Sequence, residues 1–100
     1  MKLLFLGDVV GKVAREKVIN SIPMLRDKLS LDIVIVNGEN AAGGFGITSE
    51  ICKQFFDSGI DVITGGNHSW DQSGIIEYIE KEPRLLRPLN HVKGTPGRGY

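Results

Sequence analysis

The sequence predicts an α/β fold in which a parallel β-sheet carries helices on both faces. Three short apolar runs rich in β-branched residues recur along the chain, at residues 2–6, 32–36 and 61–64. Continuous apolarity over such short runs is typical of buried parallel strands. Amphipathic segments separate the runs, and each strand with its helix takes roughly 30 residues, the size of a βαβ unit with a right-handed crossover.

The first two helices are predicted from apolar periodicity and from their cap residues. Residues 13–29 carry apolar side chains mostly three and four positions apart, with charged residues between them. This pattern indicates an amphipathic helix, which we expect to kink or restart at Pro23. Thr48 is the expected N-cap of the second helix, and Gly59 is placed to end it.

The last third of the chain predicts one more helix and one more strand. Asp71 or Ser73 is expected to cap the third helix, which Pro83 ends. A short strand is expected at residues 85–86. Residues 91–100 are rich in glycine and carry no periodic pattern, so they are predicted to form a loop.

Composition describes one small globular domain and excludes some partners. The chain has 100 residues, with 12 Lys and Arg against 12 Asp and Glu. A net charge of zero provides no global field toward nucleic acid or an anionic membrane. Cys52 is the single cysteine, so an internal disulfide is excluded and a cytoplasmic location is expected. The N-terminal apolar run ends at Gly7, too early for a signal peptide.

Polar residues follow each of the three predicted strands. Asp8 follows the first, Glu39 and Asn40 the second, and Asn67 and His68 the third. Because ligands of parallel sheets bind beyond the carboxyl ends of the strands, these side chains are expected to converge on one crevice. Oxygen and imidazole donors without thiolate suit Mn²⁺ or Fe²⁺, with Mg²⁺ a weaker match, better than structural zinc.

The same residues suggest roles in a site with two metal ions. Two divalent cations against two carboxylates leave the site electropositive and able to hold a phosphate. Glu39, on the middle loop, is placed to bridge two metals about 3.5–4 Å apart. His68 need not be a ligand, so its proton is available to a leaving alkoxide, and Asp71 can orient its ring.

Each of these residues also has a simpler interpretation. Asp8 alone could be a helix cap, and Glu39 with Asn40 could be turn residues before the glycines. His68 could be a surface or capping histidine. Residues 43–46 do not form the Gly-x-Gly-x-x-Gly dinucleotide motif. They are expected to be a flexible turn or a loop that brings backbone amides toward phosphate.

Further residues are assigned to the core or left open. Cys52, Phe55 and Phe56 are expected in the core. Arg87 could donate to a substrate phosphate or be solvated. His91 receives no role.

Three motifs together carry a resemblance to a known family. They are GDVVG at residues 7–11, VNGENAAGG at 36–44 and GNHSWD at 66–71. In this order they resemble the calcineurin-like metallophosphoesterases, in particular the bacterial branch that includes 2',3'-cyclic-nucleotide 2'-phosphodiesterases. Residues 87–90 and 96–99 are also similar, so the resemblance covers the whole chain.

The resemblance implies a set of ligands and a proton donor. It places Asp8, Glu39 and Asn40 on one metal, Glu39 as the bridge, Asn67 on the second metal, and His68 as the proton donor. The family completes both metal shells with histidines from its C-terminal half. Residues 1–100 are therefore expected to be the N-terminal part of one metallophosphoesterase α/β sandwich domain, and to be inactive alone.

The predicted function is hydrolysis of a cyclic nucleotide of the 2',3' type, or a similar phosphodiester, at a dinuclear Mn or Fe site. The alternative is a noncatalytic Rossmann-like module that binds a nucleotide or phosphate. The expected partner is a small molecule and not a membrane. Nothing in the sequence indicates nucleic acid, and homo-oligomerisation stays open.

Overall fold

The computed structural model describes residues 1–100 as a four-stranded parallel sheet with three helices. The strands are hydrogen-bonded in the order β1-β2-β3-β4. The prediction of an α/β fold with a parallel sheet is confirmed. Along the chain the elements are β1 (Leu3–Leu6), α1 (Gly11–Leu29), β2 (Ile33–Asn37), α2 (Ser49–Asp57), β3 (Val62–Thr64), α3 (Ile75–Lys81) and β4 (Leu85–Leu86).

The helices pack on one face of the sheet. In the parallel register Leu4 pairs with Val34, and Val36 pairs with Ile63. These side chains join buried helix residues in one apolar core. Because the strands follow one another in sequence order, right-handed crossovers bring all three helices to the same side.

The opposite face of the sheet is apolar and partly open. On β1, Leu3 is 50% exposed and Phe5 is 55% exposed. Their register partners Ile33 and Ile35 are half-buried. Helices were expected on both faces, but within these residues the strand order leaves this face without one.

The boundaries of α1 and α2 follow the predicted signals with one difference. Helix α1 continues through Pro23 without a restart, because a proline removes a single helical donor and the fully buried Ile22 anchors the same turn. Thr48 caps α2, as predicted, by accepting a hydrogen bond from the Ile51 amide. Gly59 follows the end of α2 with a left-handed φ of 106°.

The start of α3 differs from the prediction. Gly74 is its N-cap, in the left-handed region, and no side chain caps the helix. Asp71, one of the two predicted caps, instead contacts His68. The predicted strand β4 is present, and the C-terminal segment returns to its edge through a bridge between Leu86 and Arg98.

An ion pair ties α1 to the start of β3. The Arg26 guanidinium donates to Asp61 Oδ2 over 2.7 Å, and the same oxygen accepts the Val34 amide over 2.8 Å. Burial would raise the pKa of Asp61, but the hydrogen bonds from Arg26 and Val34 and the Arg26 charge outweigh it and lower that pKa. This contact holds the neighbouring strands β2 and β3 against the helix.

The apolar core buries Cys52, the only thiol in the chain and a potential nucleophile. Cys52 and Phe55 are fully buried and Phe56 packs against them, as predicted. Burial, aided by the negative charge of Glu82, raises the pKa of the Cys52 thiol to about 12, so the reactive thiolate is scarce at neutral pH. The chain also contains no helix with the length and apolarity that a bilayer crossing requires.

Candidate functional site

The loops after β1, β2 and β3 meet at the carboxyl edge of the sheet. The Gly38 amide donates to the carbonyl of Thr64, the last residue of β3. The Gly11 amide, at the start of α1, reaches the Asn40 carbonyl. These backbone bonds bring the three predicted loops to one place, as the parallel topology requires.

Asp8 and Asn40 are in direct contact. The amide nitrogen of Asn40 donates to Asp8 Oδ2 over 2.8 Å, although the residues are 32 positions apart. The Asn40 amide oxygen makes no hydrogen bond within the chain and is free to accept a ligand. Arg15 supports this loop from α1, because its guanidinium donates to the adjacent Ala41 carbonyl over 2.6 Å.

Glu39 contributes a buried carboxylate oxygen that has no partner. Its Oε2 is shielded from solvent and accepts no hydrogen bond. The carboxylate lies against the backbone of Gly66, where any Cβ would collide with it. A buried anionic oxygen left unpaired is costly unless a cation or donor satisfies it. The unpaired oxygen and the space that Gly66 leaves for it therefore fit a bound metal ion.

Asn67 follows Gly66 directly, so it lies on the loop whose backbone packs against the Glu39 carboxylate. The Asn67 side chain is exposed and makes no hydrogen bond within the chain. Nowhere do three His, Cys, Asp or Glu side chains gather as a metal cluster. Asp8 and Glu39 are therefore the only predicted ligands with a carboxylate, and the other two predicted ligands, Asn40 and Asn67, carry neutral amides.

His68 is held by Asp71. Its Nδ1 lies 2.7 Å from Asp71 Oδ2. The carboxylate accepts a hydrogen bond from Nδ1–H, which leaves the other ring nitrogen, Nε2, free to exchange a proton with a ligand. The two side chains are about one-third exposed, so the ring is positioned yet accessible.

Ser69 shapes the turn that presents Asn67 and His68. It is 6% exposed, and its hydroxyl both donates to the Gly66 carbonyl and accepts the Gly66 amide. A role for Ser69 was not predicted from the sequence. Its spacing, three positions after Gly66, is a signal for such a side-chain-closed turn.

The glycine-rich loop at residues 43–46 folds against the His68 segment. Gln72 donates from its side-chain amide to the Phe45 carbonyl. At Gly46, φ is 76° and a Cβ would lie 2.6 Å from the His68 carbonyl oxygen. The Phe45 ring stands edge-on to the His68 ring, with centroids 6.2 Å apart. This position of the Phe45 ring was not predicted from the sequence.

Arg87 and His91, to which the sequence assigned no definite role, follow β4 in the chain. The Nε of Arg87 is buried without a partner, while its Nη1 donates to the Pro88 carbonyl. His91 packs on Trp70, with ring centroids 6.0 Å apart. Asn37, the last residue of β2, has a buried Oδ1 without a partner. Every buried side-chain polar atom that lacks a partner thus belongs to Asn37, Glu39 or Arg87, at the carboxyl ends of β2 and β4.

Comparisons with known proteins agree on one family. The family model described as "YmdB-like protein" matches residues 4–100. The 2',3'-cyclic-nucleotide 2'-phosphodiesterase of Bacillus subtilis is 46% identical over 99 residues, which are 99% of this chain and 38% of that protein. A Mycoplasma genitalium protein named as a phosphatase/phosphodiesterase is 38% identical over 90 residues, or 90% of this chain and 32% of that protein.

Two solved structures have the same fold. A hypothetical protein from Thermus thermophilus superposes with a TM-score of 0.90 and 37% identity, covering 99% of this chain and 38% of that one. A phosphatase from Mycoplasma pneumoniae gives a TM-score of 0.89 and 35% identity, covering 99% of this chain and 37% of that one. The chain thus spans about two-fifths or less of the length of the curated relatives it matches.

Proposed function

This chain belongs to the YmdB-like protein family, and from that premise we propose that it carries the site of a metal-dependent phosphodiesterase. The proposed substrate is a 2',3'-cyclic nucleotide or a similar phosphodiester, and the proposed cofactors are two ions of Mn or Fe. The substrate class is supported by the name of the Bacillus subtilis relative. The chemistry is supported by the residues at the carboxyl edge of the sheet.

The observation that carries the proposal is the buried, unpaired Oε2 of Glu39 beside Gly66. A carboxylate in that position has an unmet need for positive charge. A noncatalytic phosphate-binding module would need donors here instead, since a carboxylate repels a phosphate. Asp8, the second carboxylate at this edge, adds to that repulsion. The acidic pair therefore favours cations, with phosphate held through them.

The proposed ligands divide between two ions. Asp8, Glu39 and Asn40 would hold one ion, Asn67 the other, and Glu39 would bridge them. When bound, such ions supply Lewis acidity and a water of lowered pKa. Within the chain, the Asn40 amide fixes the Asp8 carboxylate by its hydrogen bond. This bond leaves the Asn40 amide oxygen without a partner within the chain.

His68 is the proposed proton donor to the leaving oxygen. Its Nδ1 is engaged by Asp71, so a proton given to substrate comes from Nε2. As the oxygen of a water molecule bonds to phosphorus and the ester bond to the leaving oxygen breaks, the departing alkoxide takes this proton. The neutral imidazole stays hydrogen-bonded to Asp71. General acid catalysis of this kind typically contributes about 10²–10⁴-fold to the rate.

Chelation and metal restoration of the full-length protein test the proposal. We expect hydrolysis of 2',3'-cyclic AMP to stop after dialysis against a chelator and to return with Mn²⁺ or Fe²⁺. Glu77 is exposed and its side chain makes no hydrogen bond or ion pair, so Glu77→Gln serves as a control that should respond like the wild type. Hydrolysis that survives removal of all metal would overturn the proposal.

A further inference from the structure

Phe45 is a large exposed apolar side chain next to the proposed proton donor. It is 63% exposed, and its ring lies edge-on to His68 with the centroids 6.2 Å apart. An isolated exposed apolar residue needs no explanation. Here, however, the aromatic ring stands at the edge of the site that acts on phosphorus.

The backbone of Phe45 is fixed although its ring is exposed. The Gln72 side chain holds the Phe45 carbonyl, and the Ala42 amide donates to the Gly46 carbonyl over 2.9 Å. Gly46 lies too close to the His68 carbonyl to accept a side chain. The loop is therefore anchored to the segment that carries His68, and the ring has a defined place beside the reacting group.

The proposed substrate offers an aromatic group for this ring. In a 2',3'-cyclic nucleotide the base and the phosphate are attached to neighbouring carbons of one ribose. When the phosphate is bound in the site, the base therefore lies no farther from it than the width of one sugar ring. Every nucleobase has a π-face that can stack on an aromatic side chain. No other aromatic ring contacts His68.

We propose that Phe45 is a specificity-determining residue that stacks on the base of the nucleotide substrate. The inference rests on the proposed function. It makes Phe45 responsible for preferring a nucleotide over a phosphodiester without a base. A different role, in which Phe45 only positions the His68 ring, would alter the rate for every substrate alike.

The test compares two substrates of the full-length protein. One is 2',3'-cyclic AMP and the other is the 2,3-cyclic phosphate of methyl riboside, which lacks the base. The variants are Phe45→Ala, Phe45→Leu, which keeps apolar bulk without a π-face, and Phe45→Tyr, which keeps the ring. Val13→Ala is the control, because Val13 is an apolar side chain that is 84% exposed and lies on α1.

We expect Phe45→Ala to raise KM for 2',3'-cyclic AMP about 5- to 150-fold, the effect of losing one stacked base. Phe45→Leu should fall between Ala and wild type, while Phe45→Tyr and Val13→Ala should match wild type. With the base-free substrate, kcat and KM should be unchanged in all variants.

Three results would overturn the inference. The first is an equal change for both substrates in Phe45→Ala, which would assign Phe45 to positioning His68. The second is no change for either substrate. In both cases wild-type hydrolysis leaves the proposed function standing. The third is a wild type that hydrolyses neither substrate, which removes the inference together with the proposed function.

Discussion

The Glu39 carboxylate occupies the space in which a side chain at Gly66 would begin. The two residues follow different strands, β2 and β3, and only a glycine at position 66 lets the acid approach that backbone. The φ angle of Gly66 is not positive. A glycine is therefore needed here because of the space that Glu39 takes, and not because of the backbone conformation. The glycine of the Gly-Asn-His motif therefore makes room for the acid of the neighbouring loop.

Gly66→Ala is expected to displace Glu39 and to weaken metal binding. The clashing atoms belong to the far end of a flexible side chain, so the carboxylate can swing aside. The free energy of unfolding should therefore fall by less than the about 1–3 kcal/mol of core overpacking. The affinity for Mn²⁺ should fall, because the displaced carboxylate no longer lies in its place beside Gly66. Urea unfolding and Mn²⁺ titration measure the two effects. A Gly66→Ala protein that binds Mn²⁺ as tightly as wild type would refute the steric account.

Glu39→Gln should separate stability from metal binding. Without metal, the neutral amide removes a buried unpaired charge, so thermal stability should stay the same or rise. With Mn²⁺ the wild type should gain stability through linkage, and the variant should gain little. Metal affinity should fall by more than the about 10–100-fold typical of losing an indirect contact. Glu77→Gln should have the thermal stability of wild type both with and without Mn²⁺. If Mn²⁺ stabilised Glu39→Gln as much as it stabilises wild type, Glu39 would be excluded as a ligand.

His68→Ala should keep the metals and lose turnover. The expected loss in kcat is about 10²–10⁴-fold for an alkoxide leaving group. For a nitrophenolate, which leaves without a proton, the loss should be smaller. His91→Ala, which removes the other histidine of residues 1–100, is the control and should retain activity. Equal losses for the two leaving groups would mean that His68 does not act as an acid.

Asp61→Asn should reduce stability in a pH-dependent way. The pKa of Asp61 in the folded chain lies below the usual 3.8, so its contribution is present above that pH and is lost as the pH falls through the lower, folded value. Because the Asp61 side chain is 43% exposed, the effect should be about 0.2–1 kcal/mol. Urea unfolding of wild type and variant should differ at pH 7, and the difference should shrink as the pH falls below 3.8. A difference that is constant with pH would show that the charge of Asp61 is immaterial.

Much of the fold could be predicted because its signals are local. The strands are continuous apolar runs, and Thr48 and Gly59 mark the ends of α2 by their own chemistry. Helix α3 could not be placed to the residue, since Asp71 had a competing partner in His68. The prediction of helices on both faces of the sheet also failed for these residues. The face that a helix covers depends on strand order, which is set by long-range pairing that local sequence patterns do not show.

The site could be predicted where polar residues directly follow the predicted strands. The contact between Asp8 and Asn40 and the pair of His68 with Asp71 follow from that logic. The roles of Ser69 and Phe45 could not be predicted, because a turn-closing hydroxyl and a loop ring next to His68 depend on the folded backbone. The metal ligands themselves remain predictions.

Anomalous diffraction from crystals of the full-length protein soaked in MnCl₂, recorded at the manganese absorption edge, tests the central claim most directly. The account predicts two peaks about 3.5–4 Å apart, both within ligand distance of the Glu39 carboxylate. One peak should also contact Asp8 and Asn40, and the other Asn67. Manganese peaks only at other sites, or none next to Glu39, would contradict it.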